Sequence, residues 1–365
     1  MALVFPTSPV EGRAYSGFRY VNGVWKKSPT GMALPKNYIV NPAMQHSQQN
    51  ARAGASTNAY YLADQWAGQF SGATTYAFAS LASGRLWLSV SASGTAAAAD
   101  YTGFTQKVEG QRIADLRWGT ADAVPAVLRF TALVNIEPAG GNRAIAVTIR
   151  GPSPYPVISF TVTVTTVETV FTVAIPPPTT GTFPISNLTG FEVWFVFVGG
   201  TSHRVNTSGV WTTGGAIGTT TMSSGALGDG SSLTVGDVGF YADPYATAAA
   251  PPFETPDYTA ELRACQRYWC KVMGLKGGAS SATNAARIGT TLPVQMRAIP
   301  AMTAVGSPGI YDGTVTPVLA GAATSNLSSL QAAEANWTTA GLVAGRAVSN
   351  YYKTDADYFA MNARL

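Results

Sequence analysis

Between residues 127 and 136, Leu128, Phe130, Ala132, Val134 and Ile136 share one face of an extended chain, with Arg129, Thr131 and Asn135 on the other. A period of two marks a half-buried strand, because successive side chains in a strand point to opposite sides. The pattern recurs in residues 159–165, where Phe160, Val162 and Val164 alternate with threonines. It returns in Phe171, Val173 and Ile175, until Pro176-Pro177-Pro178 ends the strand by removing ladder donors. Residues 191–198 are apolar on both faces and belong in the middle of a sheet. Strands separated by turn residues, with almost no helical periodicity, predict an all-β chain whose main domain is a jelly roll of two packed sheets.

Three regions follow from the texture. Residues 1–36 hold four prolines around a cluster in which Asn22-Gly23 is a strong hairpin signal. A lone hairpin is marginal in water, so it reads as an attachment arm that docks on another protein through Tyr15, Phe18, Tyr20 and Trp25. Residues 37–256 read as the jelly-roll β-sandwich; within it, residues 199–236 are rich in Gly, Ser and Thr and read as a surface loop. Residues 257–365 read as a smaller β domain. Asp257 caps a short helix through Glu261 and Arg263, and strands are expected at 267–273, 293–305, 314–319, 348–352 and 358–361, with helical content at 327–336.

Polarity here is carried by hydroxyls. Charged residues are 12% against 46% hydrophobic, with 38 Gly and 22 Pro. The formal charge of +4 is spread evenly with no basic run, which argues against nucleic acid. No apolar stretch is long enough for membrane insertion, and the first residues lack the basic start and apolar run of a secretory signal. Work outside a cell would then follow release by lysis. Cys265 and Cys270 are too few and too close for a disulfide framework and read as reduced, buried thiols.

Chemistry is limited by the two histidines, His46 and His203, and by the absence of a Gly-x-Ser-x-Gly elbow. No catalytic residue, metal site or cofactor site is assigned: the cysteine spacing does not suit zinc, and no Asp-x-Asp-x-Asp run suits calcium. Glycoside hydrolysis needs only two carboxyl groups roughly 5–10 Å apart. Asp64, Glu168, Glu192, Asp229, Asp237, Asp243 and Glu254 are the candidates, and nothing in the sequence singles out a pair. Aromatic residues say more, at 8 Trp, 16 Tyr and 15 Phe. Sugars offer patches of C–H that stack on flat rings and hydroxyls that bond to uncharged polar groups. Tyr60, Tyr61, Trp66, Trp118 and Trp211 are therefore the candidate glycan-binding rings, with Trp211 foremost because its loop offers little apolar core to join.

Several stretches carry a resemblance. Asn37-Tyr-Ile-Val-Asn-Pro-Ala-Met-Gln-His-Ser-Gln-Gln-Asn50, Tyr61-Leu-Ala-Asp-Gln-Trp66, Pro252-Phe-Glu with Glu261-Leu-Arg-Ala-Cys-Gln-Arg-Tyr-Trp269, Leu292 to Pro300 and the final Asn362-Ala-Arg-Leu365 occur in order. Together they resemble bacteriophage tail-fibre, spike or head/collar-fibre proteins with a jelly-roll domain similar to carbohydrate-binding modules. Gln65 departs from the arginine common in that box, and residues 199–236 match nothing in it.

The resemblance implies a homotrimeric virion protein, assembled in the bacterial cytoplasm. Its arm would attach to portal, connector, neck or baseplate, and its β domains would project toward host-surface glycan. A purely structural decoration or collar fibre is the first alternative and a depolymerase tailspike the second. A secreted bacterial sugar-binding module is disfavoured by the first residues.

Overall fold

In the computed structural model, the described residues are 14–15, 18–21, 24–27, 35–72, 75–92, 96–136, 143–205, 207–222, 228–273, 278–282, 285–306, 309–311, 318–319, 324–325, 330, 332–338, 346–351 and 357–365. The alternating stretches are strands of two antiparallel sheets. One sheet runs in the order Thr212–Thr213, Pro156–Val164, Arg143–Arg150, Thr189–Gly199, Tyr101–Glu109, Trp66–Ser71, Tyr60–Ala63. The other runs Thr169–Ile175, Ala126–Asn135, Ser232–Ala242, Arg85–Val90, Tyr76–Leu81. The doubly apolar strand Thr189–Gly199 occupies the centre of the seven-stranded sheet, as its pattern requires. Phe195, Phe130, Leu128, Val235, Leu88 and Phe104 fill the space between the sheets and are fully buried. The result is the all-β jelly-roll sandwich expected.

The chain divides into two compact units. One comprises residues 1–44, 52–62 and 66–255, and the other residues 45–51, 63–65 and 256–365. In the arm, Ala14–Tyr15, Phe18–Val21 and Val24–Lys27 form an antiparallel sheet in which Val21 faces Val24, the register a two-residue connection imposes. The Asn22-Gly23 turn and the side chains of Tyr15, Phe18, Tyr20 and Trp25 lie outside the described residues.

In the second unit, Asp257 caps the helix Tyr258–Gln266 by accepting from the Ala260 amide at 2.8 Å. Tyr358–Asn362 pairs between Trp269–Val272 and Ala301–Val305. The strand expected from 293 begins only at Ala301, because Pro293 and Pro300 carry no donor for a ladder. Of the span 327–336, the described residues 332–336 do not supply a helix. Ala332–Thr338 is a strand paired along its length with Ala285–Thr291, so tertiary pairing overrides the helix preference of its alanines. Asp64 is buried here. Its carboxylate accepts from the Gln48 amide at 2.9 Å and from Gln48 Nε2 at 2.6 Å, while burial raises its pKa. Cys265 and Cys270 are buried and form no disulfide, and burial pushes the Cys270 thiol up to about 12.

Candidate functional site: the outer face of the five-stranded sheet

Each sheet has one face in the core and one outside it, and the two outer faces are built differently. On the seven-stranded sheet, Ala146, Trp194 and Val196 point outward, and Ile217 and Met222 pack on them. Trp194 is 3% exposed as a result. Its indole N–H donates to Glu192 Oε2 at 2.9 Å, and the Thr148 hydroxyl donates to the Ile217 carbonyl at 2.6 Å. A side chain at Gly218 would run into the Met222 sulfur. The region 199–236 is therefore no simple surface loop: its first part lies on this sheet, and Ser232–Ala242 is the middle strand of the other. Glycine and threonine are frequent there because the backbone approaches closely and hydroxyls such as those of Thr161 and Thr219, 2.6 Å apart, satisfy one another.

The rings nominated from sequence do not gather into one site. Trp66 is fully buried with its N–H on the Asn41 carbonyl at 3.0 Å, which leaves no ring face for a ligand. Trp118 is buried among Phe183, Phe191, Phe240 and Trp211. Trp211 does find apolar neighbours, contrary to its loop setting: it is half-buried against Trp118 and Phe183 and donates to the Pro176 carbonyl at 2.7 Å. Tyr60 and Tyr61 are half-buried on the edge strand Tyr60–Ala63.

On the five-stranded sheet the register brings a different set together. Ala79, Trp87, Thr234 and Leu133 stand side by side on four neighbouring strands. Next to them run Leu81, Arg85, Gly236, Thr131 and Val170. Trp87 is half-buried, flanked by small side chains, and its indole N–H has no hydrogen-bond partner among the described residues. Trp66, Trp118, Trp194 and Trp211, by contrast, all donate within the chain. Sequence carried a signal for Trp87: in Arg85-Leu-Trp-Leu-Ser-Val90 it falls on the face opposite Leu86, Leu88 and Val90.

Two residues before Trp87 stands a charged network. Arg85 donates Nη1 and Nη2 to the two oxygens of Asp237 at 3.0 and 2.9 Å, and Nη2 and Nε to Glu168 at 2.8 and 3.2 Å. Asp237 reaches the guanidinium from a bulge, with a left-handed φ of 47° that Asp tolerates. Gly236 supplies the room, since a Cβ there would overlap the Arg85 side chain. Hydrogen bonds from Arg85 hold the Glu168 carboxyl below its ordinary pKa. A half-buried ring whose N–H has no partner among the described residues, beside carboxylate oxygens and a guanidinium, offers groups of the kind a sugar binds.

Among the described residues no cluster of His, Cys, Asp and Glu suits a metal ion, and no helix is long and apolar enough to cross a membrane. His203 directs Nε2 at the Ala99 carbonyl at 3.0 Å, and His46 is buried against the Tyr258 ring.

No family model and no curated protein sequence matches the chain. Among solved structures it is similar to a CBM4 protein, at 14% identity over 54% of this chain and 100% of that one, with a TM-score of 0.29. It is similar to the N-terminal cellulose-binding domain of Cellulomonas fimi β-1,4-glucanase C, at 14% identity, 44% and 78% coverage and a TM-score of 0.26. The enzymatically active domain of bacteriophage CBA120 tailspike protein 4 is similar at 12% identity over 57% of this chain and 21% of that one, with a TM-score of 0.29.

Proposed function

We propose that this chain binds host-surface glycan without cleaving it, through the outer face of the five-stranded sheet. The observation that carries the reading is Trp87: an indole whose N–H has no partner among the described residues, on a sheet face beside the Arg85–Glu168–Asp237 network. Absence of hydrolysis at this face is supported by the state of Glu168. A glycoside hydrolase needs one carboxyl that keeps its proton at working pH. Glu168 is pulled the other way by Arg85, and Asp237 lies against the same guanidinium.

The setting we propose is a virion fibre or spike, homotrimeric and attached through its N-terminal arm, as the ordered sequence boxes imply. Exposed aliphatics around the edge strand Thr169–Ile175, with Val167 at 69% and Val170 at 51%, support a subunit contact. Three linked copies would turn a weak sugar site into firm adhesion.

The test is binding of the purified protein to immobilised bacterial surface polysaccharides, with polymer length followed by size-exclusion chromatography. Retention of an intact polymer, lost in Trp87→Ala, is the expected result. A shortened polymer would instead identify a depolymerase. A second reading, a purely structural subunit, draws on the four tryptophans committed to internal contacts and predicts no polysaccharide retention at all.

A further inference from the structure

Tyr155 sits where the covered face of the seven-stranded sheet meets solvent, and it is held there against its own backbone preference. Its φ is 62°, the left-handed region that favours glycine or asparagine. The residue is pinned on both sides: its amide donates to the Pro152 carbonyl at 2.8 Å, and its carbonyl accepts from the Gly214 amide at 2.9 Å. Yet the side chain is 42% exposed. Backbone strain that keeps a ring in water is not explained by core packing.

Behind the ring lies a built polar layer. The Arg150 guanidinium sits 5.4 Å from the Tyr155 ring and 5.5 Å from the Trp194 ring. It donates Nε and Nη2 to Glu192 Oε2 at 3.1 and 2.6 Å, and Nη1 to the Gly215 carbonyl at 3.3 Å. Lys107, half-exposed, comes within 4.0 Å of the same carboxylate. Arg150 and Lys107 thus both lie against the Glu192 carboxylate. Beside the ring, Gly214 and Gly215 have open space where a side chain would stand, with no atom within 4 Å.

We propose that Tyr155 is the platform of a second saccharide subsite, separate from Trp87, which takes a sugar bearing a carboxylate. The sugar ring stacks on the exposed tyrosine over the Gly214–Gly215 floor. Its carboxylate lies toward Lys107 and Arg150.

The experiment is affinity electrophoresis of the full chain in polygalacturonate, alginate and hyaluronate, and in their fully esterified forms. Wild type should be retarded by at least one of the acidic polymers, less so after esterification and less so in high salt. Tyr155→Ala should weaken that retardation by about ten-fold or more. Gly215→Trp should do the same by occupying the floor. Tyr155→Gly should also lose binding yet melt no lower than wild type, since glycine adopts this backbone freely; a residue kept only for structure would melt lower. Trp87→Ala should keep acidic-polymer binding, which separates failure of this site from failure of the other. The proposal is overturned if wild type ignores all three acidic polymers, if Tyr155→Ala and Gly215→Trp bind as wild type does, or if Trp87→Ala alone abolishes binding.

Discussion

Two tryptophans on two outer sheet faces of the same sandwich have opposite fates. Trp194 is sealed beneath Ile217 and Met222 with its N–H on Glu192, whereas Trp87 is half-buried and its N–H has no partner among the described residues. Trp87 sits on an alternating strand and Trp194 on one that is apolar on both faces, yet both point away from the space between the sheets. What separates them is what lies over each: Ile217 and Met222 pack on Trp194, and small side chains, Ala79 and Thr234, flank Trp87 on the neighbouring strands. An outward aromatic becomes a ligand platform only when the chain's own connections leave it uncovered.

The sharpest way to break this comparison is to truncate both rings. Trp194→Ala, which removes a fully buried side chain and leaves a cavity under the covering segment, should cost roughly 3–5 kcal/mol in urea unfolding. A loss of under about 1 kcal/mol would show that the segment does not need the ring. Trp87→Ala should behave in reverse, losing about ten-fold or more in polysaccharide affinity by isothermal calorimetry while unfolding within about 1.5 kcal/mol of wild type.

Smaller effects sharpen the picture. Gly236→Ala should displace the Arg85 side chain from between Glu168 and Asp237, and so weaken glycan binding by a few-fold, measured on the same polymer. Last comes a pH signature of Glu168. Its pKa is lower in the folded chain than in the unfolded one, so its stabilisation is complete above the ordinary glutamate value and is lost as pH falls through the lowered folded value. Denaturation across the acid range should show this component in wild type and not in Glu168→Gln. The carboxylate is 42% exposed, so the difference should stay below about 1 kcal/mol. Asp64 should titrate with the opposite sign: burial raises its folded pKa, so its ionisation destabilises the chain as pH rises through that range.

Much of the sandwich was legible in the sequence. The period-two runs of Leu128 to Val134, Phe160 to Val164 and Phe171 to Ile175 became strands with the expected faces inward, and Thr189–Gly199 took the centre of its sheet. Asp257 announced its helix through a local hydrogen bond, which sequence can specify because donor and acceptor are three residues apart. The ligand-facing rings were less legible. Trp66, Trp118 and Trp211 looked available because their apolar partners, such as Phe195, Phe183 and Phe240, are distant in the chain. Alanine-rich residues 332–336 misled for the same reason, since their strand partner lies at 285–291 and beyond.

Composition and alternation alone determined that this chain would be β, layered, poor in charge and rich in stackable rings, because a strand's two faces are written in neighbouring residues. Which rings meet solvent was decided only in three dimensions. The packing of Ile217 and Met222 on one sheet, the bulge that aims Asp237 at Arg85, and the left-handed turn that holds Tyr155 outward all depend on contacts between residues far apart in the chain. Exposure is a property of what the rest of the chain leaves uncovered, and no local pattern encodes it.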